Sequence, residues 1–468
     1  MIGLLRERCM ACGGCTPACP ISALDVVHGA LKVDESCIDC GKCVPFCPQG
    51  ALILSGANPA KWPAFRPPDD NYDVIVIGGG PAGSTSARLL AEDGAKVLLL
   101  EKRPVVGHPQ LCAEGVSRTG LTDVIPQIEK RWVSAPIEGA VLVSPSGKAT
   151  TVKHPRAGFI LERRVFDRDL FAMAGNSGAR TLVSAPAREF IWDGDHIVGV
   201  EFEWRGQKAE AFARVFICAD GVESAAARQL FPREHLATDQ IHVAAQAVMT
   251  GVDVHLGFPE FHVGRELAPG GYAWVFPKGE GFANVGLGVN PSLIDDGSIT
   301  AWNLLERFIT KRFEGAGEVI ELASGNVPTA KQLEKIAYRN VLFVGDAGRL
   351  TDPISGGGIA NALLSAKIAA KIAKRALFND TPEATEKALA EYISEWHKAR
   401  GKQMAFYLKA KNIFAGLDDE DLEGICRLID DRFGKGEFES IDIPGAIRSI
   451  IKERKLLWRI AKSLLPSF

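Results

Sequence analysis

The chain has 468 residues, 46% hydrophobic and 24% charged, which suits a soluble protein of about three domains and argues against a disordered, collagenous or membrane-spanning chain. Its 54 Lys+Arg stand against 57 Asp+Glu, and a net charge of −3 provides no global basic field to recruit nucleic acid. Glycine is frequent, at 48 residues, which points to places where backbone approaches a ligand closely.

The first residues carry Arg6, Glu7 and Arg8 and lack an apolar segment, so no secretory signal is read there. A cytoplasmic, reducing location without a disulfide framework is the expectation. Eleven cysteines are present, and eight of them fall into two runs. The first is Cys9-x2-Cys12-x2-Cys15-x3-Cys19-Pro20; the second is Cys37-x2-Cys40-x2-Cys43-x3-Cys47-Pro48. This is the spacing of bacterial two-cluster proteins, in which the fourth cysteine of each run serves the other cluster. Cys9, Cys12, Cys15 and Cys47 are expected to hold one 4Fe–4S cube, and Cys37, Cys40, Cys43 and Cys19 the second. Structural zinc fits less well, because zinc takes separated cysteine pairs rather than a triplet plus one, twice over. Residues 1–56 resemble ferredoxins, which implies a small α+β domain held together partly by its clusters.

Residues 57–71 contain Pro59, Pro63, Pro67 and Pro68 and read as a stiff linker. Beyond it, Tyr72–Ile77 reads as a buried strand and Gly78-x-Gly80-x-x-Gly83 as a turn, with Pro81 and Ala82 between the glycines. A helix-like stretch from Ser84 to Glu92 and a second apolar run, Lys96–Leu100, follow, and that run ends at Glu101 and Lys102. Strand, glycine turn, helix, strand and acid in that order form the dinucleotide fingerprint. Gly78 permits the turn, Gly80 lets a pyrophosphate approach, Gly83 allows close packing, and Glu101 is placed for a ribose.

Two later segments bear on which dinucleotide. Val341–Asp346, with Gly345, leads through Pro353 to Gly356-Gly357-Gly358 and a helical run from Ile359. Val215–Gly221, with Asp220, continues to Ser224 and Arg228. These resemble the distal FAD motifs of the flavoprotein superfamily that includes p-hydroxybenzoate hydroxylase. The resemblance implies FAD, with Asp346 at the ribityl chain and Asp220 and Gly221 at the flavin and nucleotide edge. It also implies an arginine that contacts FAD, either Arg163 or its neighbour Arg164. Independently of family, a glycine triplet opening a helix leaves free N–H groups and a positive dipole end beside a ligand.

Pro269-x-x-Tyr272-x-Trp274-x-Phe276-Pro277 alternates like a strand, with its aromatic residues on one face. This stretch, with Cys112-Ala113-Glu114-Gly115, resembles the geranylgeranyl reductases over about residues 72–378, although Ala113 stands where the family usually has glycine. The resemblance implies that Tyr272, Trp274 and Phe276 line an apolar prenyl tunnel and that Cys112 sits beside the flavin. Read without it, the three aromatics are equally sheet core and Cys112 an inert thiol. Tyr272 and Cys112 are the candidates for the proton that alkene reduction requires. Cys218 and Cys426 read as packing residues.

Residues 379–468 read as helices. The end, Pro444–Leu465, sets Arg448, Lys452, Arg454, Lys455, Arg459 and Lys462 against Glu453, with Ile447, Ile450, Ile451, Leu457 and Trp458 near one face. Such a helix either lies on the inner face of an anionic membrane or packs on its own protein.

The expected fold is α/β: a Rossmann-type FAD-binding domain from 72–237 and 331–378, an antiparallel-sheet substrate domain at 238–330, a helical region from 379, and the N-terminal α+β ferredoxin domain. The expected activity is FAD-dependent saturation of isolated C=C bonds in prenyl chains of lipids or quinones. Reduced ferredoxin or a similar low-potential donor would supply electrons through the clusters. Two rivals remain open at this point: an oxidoreductase resembling the electron-transfer-flavoprotein:quinone oxidoreductases, and a non-catalytic electron carrier.

Overall fold

The computed structural model describes residues 1–434 apart from 7, 28, 59–68, 110–111, 205–206 and 295–298, together with 436 and 445. Most of the Pro-rich linker and, except for Gly445, the basic C-terminal stretch lie outside the described residues.

In the N-terminal domain, Gly3–Leu4 pairs with Leu52–Ile53 and Leu24–Val27 with Ala30–Val33, both antiparallel. The duplicated spacing is a duplicated conformation. Ala11 and Gly13 in the first run, and Asp39 and Gly41 in the second, have positive φ. Each run then closes with a 3-10 turn containing proline, Thr16–Ala18 and Val44–Phe46. The small core joins Ile2, Leu24, Leu31 and Leu52 to Cys15 and Cys43.

The dinucleotide unit is a mixed eight-stranded sheet whose parallel part runs Arg180–Leu182, Val97–Leu100, Asn71–Ile77, Gln207–Cys218 and Val341–Phe343, with His196–Trp204, Ala187–Asp193 and Ala337–Tyr338 added antiparallel. Val74, Ile75, Val76, Leu98 and Leu99 are completely buried, as expected for a parallel sheet covered on both faces. Helix Pro81–Glu92 packs against both Arg163–Asn176 and Ile359–Ala376.

The second sheet runs Glu318–Pro328, Ile241–Thr250, Phe282–Val289, Tyr272–Gly279, Glu260–His262, Val133–Val143, Ala149–Leu161 and Gly115–Ser117. It is antiparallel except where Glu260–His262 lies parallel to Val133–Val143. Strand alternation divides its faces. Ala245, Ala247, Met249, Val275, Val285 and Leu287 pack under helix Ala301–Phe313, whose apolar stripe is Leu304, Leu305 and Phe308. Trp274 and Phe276 turn to the other face and cluster with Ala135 and Ile160.

One boundary differs from the sequence reading. Strands between 115 and 161, expected within the FAD-binding domain, belong to this second sheet, because Val133–Val143 bonds Glu260–His262 and Ile160 packs beside Trp274. The substrate sheet therefore draws on two stretches of chain.

The C-terminal region is helical as expected through Pro382–Leu389, Glu391–Trp396, Lys402–Phe414 and Asp419–Phe433. Tyr392 donates to the Phe343 carbonyl at 3.1 Å, and the buried Lys411 donates to the carbonyls of Asp239 and Thr329. These helices thus brace both sheets. Among the described residues no helix is long and apolar enough to cross a membrane.

Candidate functional site

The two cysteine runs meet in one small core, where Cys15 and Cys43 are buried and Cys9, Cys19, Cys37 and Cys47 pack against them. Backbone amides already point at the sulfurs: Ala11 at Cys9 (3.4 Å), Ala23 at Cys19 (3.2 Å) and Ala51 at Cys47 (3.2 Å). Amide donors of this kind tune an iron–sulfur cluster. Among the described residues no group of three or more His, Cys, Asp or Glu is close enough to hold a single ion.

The dinucleotide cradle is shaped by what its glycines exclude. A Cβ on Gly83 would collide with the Gly78 carbonyl, and one on Gly78 with the Ala219 carbonyl, whereas Gly80 faces open space. That space lies at the head of helix Pro81–Glu92, where Pro81 takes the first position and the first-turn N–H groups lack intrahelical partners. Ala82 touches the position Gly345 occupies, so the Val341–Phe343 strand delivers Asp346 to the same place. The Glu101 carboxylate accepts from Gly79 N at 2.7 Å and Arg103 N at 2.8 Å, which fixes it beside the turn. Lys102 instead pairs at the surface with Glu223 at 3.2 Å. Asp346 is raised by burial and accepts from Thr351 Oγ1 at 2.5 Å; Gly358 lies against its carboxylate, and Ile359 opens the long helix behind it. Pro353 is buried, and Gly356 and Gly357 continue the loop. These residues fit a flavin dinucleotide: an open phosphate cradle, a fixed acid, and a second helix N-terminus.

Two expected cofactor residues are occupied internally. Asp220 accepts from Ser224 Oγ at 2.7 Å and Ala226 N at 3.2 Å, capping the short helix Ala225–Leu230, with Gly221 at positive φ beside it. Arg163 is gripped by Asp167 at 2.7 and 2.8 Å, and Arg164 pairs with Glu321 at 2.5 Å. Although burial works against its charge, Arg163 is held protonated by the Asp167 carboxylate.

The aromatic strand meets the flavin motifs through contacts between distant segments. Trp274 Nε1 donates to Asn284 at 2.9 Å, and the Asn284 amide donates to the Cys112 carbonyl at 3.2 Å. The Cys112 thiol accepts from Glu114 N at 3.2 Å; burial pushes it up and Arg163 opposes that. The Tyr272 hydroxyl donates to the Ser355 carbonyl at 2.6 Å, beside the glycine triplet. Phe276 packs on Gly115 and on Phe261. Cys218 and Cys426 are buried, as packing residues should be.

Sequence reasoning missed Asn284, Ser355, Asp167 and Lys278. Lys278 continues the period-two face of Tyr272, Trp274 and Phe276, so that alternation carried a signal for it. Asp167 is the i,i+4 partner of Arg163 on one helix and was also readable locally, whereas Asn284 and Ser355 depend on contacts that no local pattern encodes.

The comparisons with known proteins agree with this geometry. The family model for the geranylgeranyl reductase catalytic domain matches residues 240–327, that for FAD dependent oxidoreductases 73–257, and that for the 4Fe-4S dicluster domain 8–52. The digeranylgeranylglycerophospholipid reductase of Methanosarcina acetivorans is 37% identical over 394 residues, covering 83% of this chain and 95% of that protein. The one from Methanoculleus marisnigri is 35% identical, covering 84% and 98%. A crystal structure described as a geranylgeranyl bacteriochlorophyll reductase-like protein, from Thermoplasma acidophilum, superposes with a TM-score of 0.78 at 32% identity, covering 84% of this chain and 99% of that one. The myxobacterial chondrochloren halogenase, at 20% identity and a TM-score of 0.60, shares the fold alone. With its aromatic strand set against an FAD cradle and a two-cluster domain at its N-terminus, the chain belongs to the geranylgeranyl reductase family of flavin-dependent oxidoreductases.

Proposed function

We propose that this protein saturates isolated C=C bonds in the geranylgeranyl chains of a glycerophospholipid, taking electrons from reduced ferredoxin or a similar low-potential donor through its two clusters. The observation that carries the reading is the junction of Trp274, Asn284 and Cys112, which sets an apolar aromatic wall against the flavin-side turn. When bound, FAD supplies hydride to one alkene carbon, having received its electrons from the clusters.

The chain's own residues do the rest. A prenyl chain has almost nothing to hydrogen-bond, so its affinity comes from burial against Trp274, Phe276 and Tyr272. Asn284 keeps the Trp274 ring upright by engaging its only polar atom. The Tyr272 proton is engaged by Ser355, which favours a role for Tyr272 as a tie between substrate sheet and flavin loop. We further propose peripheral contact of the basic C-terminal stretch with the membrane that holds the lipid, on the cytoplasmic side.

Anaerobic incubation of the reduced protein with a geranylgeranylated glycerophospholipid, and separately with a quinone, tests the reading. Mass gain of the lipid by two hydrogens per bond supports it. Quinone reduction without any lipid mass gain would favour the quinone-linked alternative, and reoxidation by neither the carrier reading.

A further inference from the structure

A cluster of ionisable side chains surrounds the turn after Cys112, and neither the cofactor cradle nor the aromatic wall accounts for it. Glu162, at the head of helix Arg163–Asn176, has a 33% exposed side chain and lies 3.1 Å from Lys278 Nζ. Lys278 is 11% exposed and also contacts the carboxylate of Glu114, which is only 2% exposed. The other Glu114 oxygen accepts from Arg163 N at 3.0 Å, and the Glu114 amide donates to the Cys112 thiol. The three side chains therefore form a continuous string from solvent to the flavin-side turn. Glu114 adopts this place with φ at +72, a conformation costly for a residue with a Cβ.

We propose that Glu162, Lys278 and Glu114 form a proton relay that carries solvent protons into the closed end of the reductive site. The proposal rests on the reading of that site as a flavin-dependent alkene reductase. Saturating one bond consumes two electrons and two protons. One proton forms a C–H bond with the alkene's own π electrons, and hydride supplies the pair for the other. An apolar pocket filled by a prenyl chain excludes water, so those protons need a route through the protein.

Charge counting separates a relay from a simple clamp. Lys278 and Arg163 are positive; Glu114, Glu162 and Asp167 are negative. Asp167 is already committed to Arg163, and Arg164 turns away to Glu321, so two carboxylates share the single Lys278 ammonium. Such a set accepts one further proton without becoming net positive. Burial raises the Glu114 carboxyl, with Lys278 opposing and Glu162 adding to it. In the relay Lys278 passes a proton to Glu114 and regains one from Glu162, which takes it from water; the protonated Glu114 carboxyl would give it up to the flavin, the group that takes up protons on reduction.

The test is proton uptake during photoreduction of the flavin in the intact holoprotein, followed with a pH-indicator dye while a saturated, non-reducible prenyl glycerophospholipid fills the pocket; binding of that lipid is measured separately, so failure of the substrate assignment is told apart from failure of the relay. FAD content and thermal melting are recorded alongside. Glu162→Gln, at the surface end, is expected to slow uptake about ten-fold at unchanged FAD content, with restoration by acetate as a small weak acid; Glu114→Gln, which keeps one acceptor oxygen for Arg163 N but turns an NH2 donor toward Lys278, is expected to slow it about a hundred-fold. Wild-type uptake in Glu162→Gln would overturn the relay, whether or not Glu114→Gln retains flavin. So would slowing in Glu114→Gln that merely matches its loss of FAD.

Discussion

The Tyr272 hydroxyl donates to the Ser355 carbonyl at 2.6 Å, joining the aromatic strand of the second sheet to the loop that carries Gly356, Gly357 and Gly358. Tyr272→Phe removes this tie and little else. The account expects FAD retention to weaken by about 1 kcal/mol, roughly five-fold, with reduction by bound flavin largely kept. A fall in kcat of about a hundred-fold at unchanged FAD affinity would instead make Tyr272 the proton donor.

Gly286 lies directly under the Trp274 ring, where an added Cβ would overlap the indole and crowd the Ala245 carbonyl. Gly286→Ala should displace Trp274 from Asn284 and cost about 1–3 kcal/mol of stability. Prenyl reduction should fall far more than FAD content. Product mass spectrometry and flavin absorbance on the same sample separate the two effects. Equal loss of both would mean that Trp274 is core and not a substrate wall.

Legibility in the sequence followed the range of the interactions. The two cysteine runs, Gly78 to Gly83 and the Asp346 segment are local devices readable from spacing alone; the structure puts the glycine turn at the head of helix Pro81–Glu92 and the Asp346 segment against it. The strands between 115 and 161, expected within the FAD-binding domain, pair into the second sheet; many of their residues are half exposed, so alternation there is weak. Asn284 and Ser355 act only because chain segments about 172 and 83 residues from their partners come together. Glu114 is visible in the Cys-Ala-Glu-Gly motif, but its ammonium partner Lys278 lies 164 residues along the chain and no local pattern joins the two.

Glu260 locks helix Ala301–Phe313 to the second sheet. It accepts from Arg312 at 2.8 and 2.6 Å and lies 2.7 Å from His262. Burial alone would raise its carboxyl, but Arg312 and His262 prevail and hold it down to about 2. A depressed carboxyl stabilises the fold above its unfolded value near 4.5, and that contribution is lost as pH falls toward 2. Glu260→Gln should therefore cost about 3 kcal/mol at pH 7. Paired melts of wild type and variant should show the difference narrowing below about pH 4.5. A difference independent of pH would remove the ion pair from the account.

Each cube should depend on its own thiolates. Cys40→Ser, at an exposed corner of the second triplet, is expected to lower iron from about eight toward about four per chain. FAD should remain bound and reducible by dithionite, while reduction by a ferredoxin-type donor should slow sharply. Anaerobic iron analysis with stopped-flow flavin bleaching reads both. Undiminished reduction by the donor would take that cube off the electron path.

Electron counting tests the central claim most directly. Protein reduced fully under anaerobic conditions, freed of excess donor and mixed with a geranylgeranylated glycerophospholipid holds about four electrons, two on the flavin and one on each cube. The account predicts about two saturated bonds per chain by mass spectrometry, with the cubes reoxidised at the end. A single saturated bond with both cubes still reduced, or no saturation at all, would contradict it.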